Sequence, residues 1–353
     1  MAYTNGLDKP SDYFVTKLFT GNGSNGHAIS GLDFQPAWVW LKNRNTGNTH
    51  EAFDSVRGAT KTLYPDRSDE EYVNSTGSLT SFNSDGFTVG SGDGANKSGS
   101  GIASWNWKAG TSFTNDASAT GIGSIDSTGS VNTDAGFSII SWTGDGNNGA
   151  TIAHGLGVTP AIVITKRRSA VGDWLVGGST INTARGGANS LLLLNTTAAM
   201  DSNSEVYQTF SSTTFQVGVN AYANTSGSTM ISYCFAEKQG YSKFGSYTGN
   251  GNADGTFVYT GFKPAFFICK RYNDAGYDWL MYDNKRQVSF NVVDDFLKPN
   301  LNDAETTGNA NQSLDFLSNG VKHRGNGASS NGSGASYIYM AFAENPFVTS
   351  TGV

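Results

Sequence analysis

The sequence predicts an all-β protein of three tandem antiparallel β-sandwich modules, jelly-roll-like in type. Three observations carry that reading. Short apolar or alternating runs are broken every few residues by Gly, Asn, Asp and Ser, with 45 glycines among 353 residues, and few stretches follow the helical period. One set of motifs is spelled three times along the chain. The most apolar run of each copy follows a proline, which suits the first residue of a strand and is excluded from the middle of a central one.

In the first copy Tyr13 to Phe19 alternates as a strand, Thr20-Gly21-Asn22-Gly23 turns it, and Pro36 leads the run to Lys42. The hairpin Phe82 to Val89 turns on Asp85-Gly86, and Asn96-Lys97-Ser98-Gly99 feeds a closing strand with Trp105 and Trp107. The second copy reads Thr143-Gly144-Asp145-Gly146, Pro160 to Lys166, Phe210 to Val217 and Asn224-Thr225-Ser226-Gly227, closing on Tyr233 and Phe235. The third reads Thr248-Gly249-Asn250-Gly251, Pro264 to Lys270, Phe316 to Val321 and Asn331-Gly332-Ser333-Gly334, closing on Met340 and Phe342. The lysine always falls six residues after the proline, and the turn opens 16 or 17 residues before it. Runs such as Ala37-Trp38-Val39-Trp40-Leu41 have the pattern of strands buried on both faces. The closing bulky pairs lie two residues apart and share a face.

These landmarks divide the chain into an N-terminal arm (1–12), repeat 1 (13–110), a Ser/Thr/Gly-rich linker (111–136), repeat 2 (137–239) and repeat 3 (240–353). The linker composition predicts a more freely placed first copy, unless Ile122 and Ile125 pin the segment to a neighbour. The short Glu237-Lys238-Gln239-Gly240 joint predicts a rigid pair of copies two and three.

A net charge of −6 argues against nucleic acid, which demands a basic surface. No apolar run reaches the ~20 residues of a membrane span, and the first ten residues have no signal-peptide pattern. Cys234 and Cys269 stand in apolar strands at unmatched repeat positions and read as buried thiols. His27, His50, His154 and His323 show no metal-ligand spacing. Nothing calls for a metal or another cofactor. Asp-Gly and Asn-Gly clusters read as hairpin turns, with calcium as the other reading.

Carboxylates recur singly in each copy, among them Asp54, Asp173, Asp278 and Asp283. A glycosidase needs two acids facing each other across a cleft, so the expectation is no enzyme. Candidate binding residues are Trp174 and Trp279, which stand beside loops and are better placed than the other tryptophans for exposure and sugar stacking, with Asp173 and Asp278 next to them. Arg44, Arg168 and Arg271 join them from a basic cluster that recurs where each proline-led strand ends. The favoured readings are core or inter-module packing for the tryptophans and snorkelling with local ion pairing for the cations, with ligand contact as the sharper alternative.

The Pro-Ala-x-Val-x-x-Lys strand, the Asp-Trp-Leu segment, the Phe-x-x-Asp-Gly-Phe-Thr-Val-Gly hairpin and the closing Tyr337 to Phe347 together resemble one family. It is an uncharacterised repeat domain of virion proteins of tailed bacteriophages, especially those of marine bacteria. The resemblance spans residues 13–347. Copy one departs from it where Asp-Trp-Leu would fall, and copy three replaces the hairpin's second aromatic with Val321. The resemblance implies a virion protein made in the host cytoplasm. Its partners would be other virion proteins, a host-surface glycan and further copies of itself. A tail-fibre or receptor-binding component is the leading expectation, a capsid decoration or head-fibre protein the second, and a capsular polysaccharide depolymerase the third.

Overall fold

A computed structural model describes residues 9–287 and 290–343. The first eight residues of the expected arm and the last residues of the closing motif, Glu344 to Phe347, lie outside them. The chain is all-β, as expected, and its sheets are antiparallel.

The same strand order occurs three times. In the first copy one sheet runs Phe14–Thr20, Gly101–Trp107, Trp38–Asn43, Glu51–Asp54, and a second runs His27–Ser30, Gly86–Val89, Leu79–Asn83. In the second copy the matching orders are Phe137–Thr143, Thr229–Phe235, Ile162–Arg167, Leu175–Gly177, and Ala150–Ala153, Thr214–Val217, Tyr207–Phe210. In the third they are Ser242–Thr248, Ser336–Ala343, Pro264–Arg271, Trp279–Asp283, and Phe257–Tyr259, Gly320–His323, Leu314–Leu317. First, last and third strands are neighbours, the alternation of a jelly roll. The fourth strand instead stays hairpinned to the third.

The central strands of each larger sheet are buried on both faces, which explains the unbroken apolar runs. Side chains alternate across a strand, so Val39 and Leu41 point into the first copy's own sandwich while Trp38 and Trp40 point out of it. Val163 against Ile162 and Ile164, and Phe267 and Cys269 against Phe266 and Ile268, divide in the same way. The outward faces of all three copies meet in one shared core.

At the centre of that core stand the three equivalent closing aromatics. Trp107 and Phe342 have ring centroids 5.7 Å apart, Phe235 and Phe342 5.8 Å, and Trp107 and Phe235 6.4 Å. This closed triangle marks a pseudo-threefold axis within a single chain. The apolar cavity beside it, ≈ 20 Å³, takes lining residues from every copy, among them Trp38, Ile164 and Trp279. That is room for about one water-sized body.

Two expectations are corrected here. The segment 111–136 is not a free linker. Its strands Thr111–Asn115 and Ser127–Asn132 pair with each other, and the second pairs with Phe137–Thr143, extending the second copy's sheet to eight strands. Ser and Thr hydroxyls are compatible with a half-exposed strand, so polarity alone did not mean disorder. Nor is the first copy loosely hung: its four tryptophans Trp38, Trp40, Trp105 and Trp107 belong to the shared core.

Candidate functional site

The repeated turn and the repeated Asn-x-Ser-Gly loop form one clasp in each copy. Asn96 accepts from Asn22 N–H at 2.9 Å, and its Nδ2 donates to Asn22 Oδ1 (3.0 Å), Ser24 O (2.9 Å) and Gly90 O (2.8 Å). Asn224 holds Asp145 and Asn147 in the same way, and Asn331 holds Asn250, Asn252 and Gly325. Gly21 is required by contact, because a Cβ there would lie 2.2 Å from Lys97 O; Gly144 and Gly249 meet the same obstacle.

Trp174 and Trp279 are not exposed platforms: they are 0% and 1% accessible. Each sits on a strand facing the shared core and reaches a neighbouring copy. Trp174 Nε1 donates to the Tyr64 carbonyl of copy one at 2.8 Å, and Trp279 Nε1 to the Leu193 carbonyl of copy two at 3.0 Å. This is the inter-module packing favoured from the sequence; the polar neighbours that made exposure the other candidate serve the junction. Asp173 accepts from Asn195 Nδ2, whose own carbonyl accepts from Trp174 N–H; Asp278 and Asn300 repeat this at Trp279. His50 holds the equivalent place in copy one and faces the Lys298 carbonyl of copy three without a well-formed bond. Copy two therefore leans on one, three on two, and one on three.

Two junctions carry a buried relay of charge. At the first, Tyr233 of copy two donates to Asp54 Oδ2 (2.7 Å), Asp54 pairs with Arg57 (2.5 Å), Arg57 reaches Glu71 (3.1 Å), and Arg168 of copy two returns to Glu71 through two bonds of 2.9 and 3.0 Å. At the second, Trp105 donates to Asp283 (3.0 Å), Asp283 pairs with Arg286 (2.5 Å), Arg286 with Glu305 (2.5 Å), and Arg44 returns to Glu305 (2.6 Å). Burial works against the Glu71 carboxylate, but the Arg168 and Arg57 guanidiniums hold it below the usual range. At the third junction the corresponding places are taken by Gly178, Ile181, Met200, Tyr272 and Met340. Backbone pairing is kept, Met200 N–H to Tyr272 O matching Glu71 to Arg168 and Glu305 to Arg44. The whole relay has been exchanged for neutral groups together.

The proline-led strands end on fully buried lysines. Lys42 Nζ donates to the carbonyls of Asn43, Thr46, Asn48 and, across the junction, Asn302. Lys166 takes Gly172 and, across the junction, Ser68; Lys270 takes Arg271. Burial lowers all three to about 8. Arg271, by contrast, stays local, on Asp274 and over the Tyr277 ring at 3.9 Å. The junctions thus bring together Arg44, Arg168, Trp174, Trp279, Asp173 and Asp278, and leave Arg271 outside.

Sequence reasoning missed Tyr233, Glu71, Glu305, Arg57 and Arg286. The signal available was Asp54-x-x-Arg57 matched by Asp283-x-x-Arg286, 18 residues after Pro36 and 19 after Pro264. These acids are clamped by guanidiniums, and the arrangement ties copies together. His154 and His323 are driven down by burial to about 4 and about 3. Among the described residues no group of three or more His, Cys, Asp or Glu is placed to hold a metal ion.

No curated protein matches the chain, and no solved structure matches it either. One family model does, a domain of unknown function, over residues 9–346. That single span takes in all three copies and the hairpin between the first two. The chain belongs to this family, DUF7483.

Proposed function

We propose that this chain is a non-enzymatic structural component of a tailed-bacteriophage virion, a tail-fibre or receptor-binding part that meets the host surface. Three copies of one ancestral β-sandwich module, closed on themselves, are the frame of that reading. The observation that carries it is how the buried polar groups are spent. Asp54, Asp283, Glu71 and Glu305, with the strand-end lysines Lys42 and Lys166, are consumed in closing the ring. That is the economy of a rigid, displayed body, not of a catalyst. Outside the ring lie glycine and asparagine loops on which weak contacts multiply when several chains are carried by one particle.

Purified protein added to host cells should bind them and reduce infection in a dose-dependent way, and antibody against it should label tails in electron micrographs. Label on empty heads, with no competition for infection, would support the decoration reading instead.

A further inference from the structure

The pseudo-threefold arrangement is broken at one place, and an open furrow lies there. The hairpin of residues 111–132 docks against the second copy's sheet, and the strap Lys108-Ala109-Gly110 leads into it from copy one. Two open depressions, ≈ 460 and ≈ 530 Å³, meet along this strap. One is lined by Phe34, Gln35, Ser55 and Ser84, the other by Tyr13, Thr111, Ser112, Asn132 and Thr133. Lys108 belongs to both. Its ammonium lies between two aromatic rings, 5.6 Å from the Tyr13 centroid and 5.9 Å from that of Phe34. Among the described residues it forms no ion pair. The residues following Phe235 and Phe342 at the equivalent places are Ala236 and Ala343, so only this junction carries the cation.

We propose that the furrow is a saccharide subsite for a sugar ring bearing one carboxylate, with Lys108 as its charge partner. The class follows from what else lines it. Hydroxyls and amides of Thr111, Ser112, Asn132, Thr133 and Gln35 match the donors and acceptors of a sugar. The acids are few and differently placed. Asp33 is engaged by Lys9 at 3.7 Å, while Asp134, exposed on the hairpin turn, is available to accept from a sugar hydroxyl. An acid in the lining disfavours densely charged ligands such as a phosphate chain, and tolerates a saccharide with many hydroxyls and no more than one charge per ring. The partly buried Tyr13 offers an aromatic wall against which such a ring packs. The proposal rests on the host-surface reading, to which it gives a ligand chemistry.

The test is a titration of the full chain, followed by NMR or calorimetry, with tetragalacturonate, neutral maltotetraose and a tetraglutamate peptide. Tetragalacturonate should bind, Lys108→Gln should weaken it by about tenfold, equivalent to ~1.4 kcal/mol, and Lys108→Arg should restore most of the loss. Lys97→Gln, on an exposed lysine paired with Asp93, should bind as the wild type does. Unchanged melting of Lys108→Gln confirms that the fold is intact. Equal binding of maltotetraose, equal binding of the peptide, no binding of tetragalacturonate, or indifference to Lys108→Gln would each overturn the subsite. Competition for infection is measured in parallel. If wild type and Lys108→Gln both block infection, the subsite fails and the host-surface reading stands. If tetragalacturonate binds through Lys108 but wild type does not block, the host-surface reading fails alone.

Discussion

The Tyr233 hydroxyl donates to Asp54 Oδ2 at 2.7 Å from 179 residues further along the chain. Both groups are fully buried, and Asp54 is also clamped by Arg57. A buried pair of this kind is costly to break, because removing one partner strands the other charge. Asp54→Asn should therefore destabilise the protein by about 3–5 kcal/mol in urea unfolding. Asp274→Asn, which loses only the exposed pair with Arg271, should cost under about 1 kcal/mol.

The neutral third junction predicts how the loss can be repaired. Transferring its residues to the first junction as Asp54→Gly, Arg57→Ile, Glu71→Met, Arg168→Tyr and Tyr233→Met should recover most of the stability lost in Asp54→Gly alone. Replacing a whole buried ionic set with apolar groups is commonly neutral or stabilising by about 1–4 kcal/mol. Denaturation midpoints of the single and fivefold variants decide this; a fivefold variant weaker than the single one goes against it.

Buried histidines set an acid limit. Burial lowers His154 to about 4 and His323 to about 3, from an ordinary 6.5. Below 6.5 the unfolded chain takes up protons that the folded one refuses, so stability is full above 6.5 and is lost as pH falls toward 3. His323, with neither ring nitrogen hydrogen-bonded, occupies the place of Val89 and Val217 in the other hairpins. His323→Val should flatten the pH dependence of the melting temperature between pH 6.5 and 3. An unchanged slope would place the acid sensitivity elsewhere.

The clasps make a prediction for each copy. Asn96→Ala removes the bonds to Asn22, Ser24 and Gly90 and leaves the buried Gly90 carbonyl without this partner. The cost should be about 1–3 kcal/mol, with Asn224→Ala and Asn331→Ala alike. Hydrogen exchange should locate the loosening in the matching turn.

Much of this architecture was legible in the chain. Prolines before apolar runs placed the third strands, and Asp85-Gly86 placed a hairpin. The repeated asparagine marked a turn partner, although the side chain it grips was not visible in the spelling. The continuous run Trp38 to Leu41 said that both sheet faces are covered, yet nothing in it said by what. Burial by another copy is a long-range fact, and period-2 patterning is the same whatever lies opposite. Trp174 and Trp279 read as packed between modules for a related reason without naming their partners: aspartate and asparagine beside them signal a loop, and here that loop is folded into a junction. The hairpin in 111–132 was hidden because small polar residues are common to linkers and to half-exposed strands.

Differential scanning calorimetry of the intact chain tests the shared core most directly. With Trp107, Phe235 and Phe342 packed against one another, the three sheet pairs should melt together in one transition whose calorimetric and van't Hoff enthalpies agree. Resolved transitions for separate copies, or a calorimetric enthalpy several times the van't Hoff value, would contradict it.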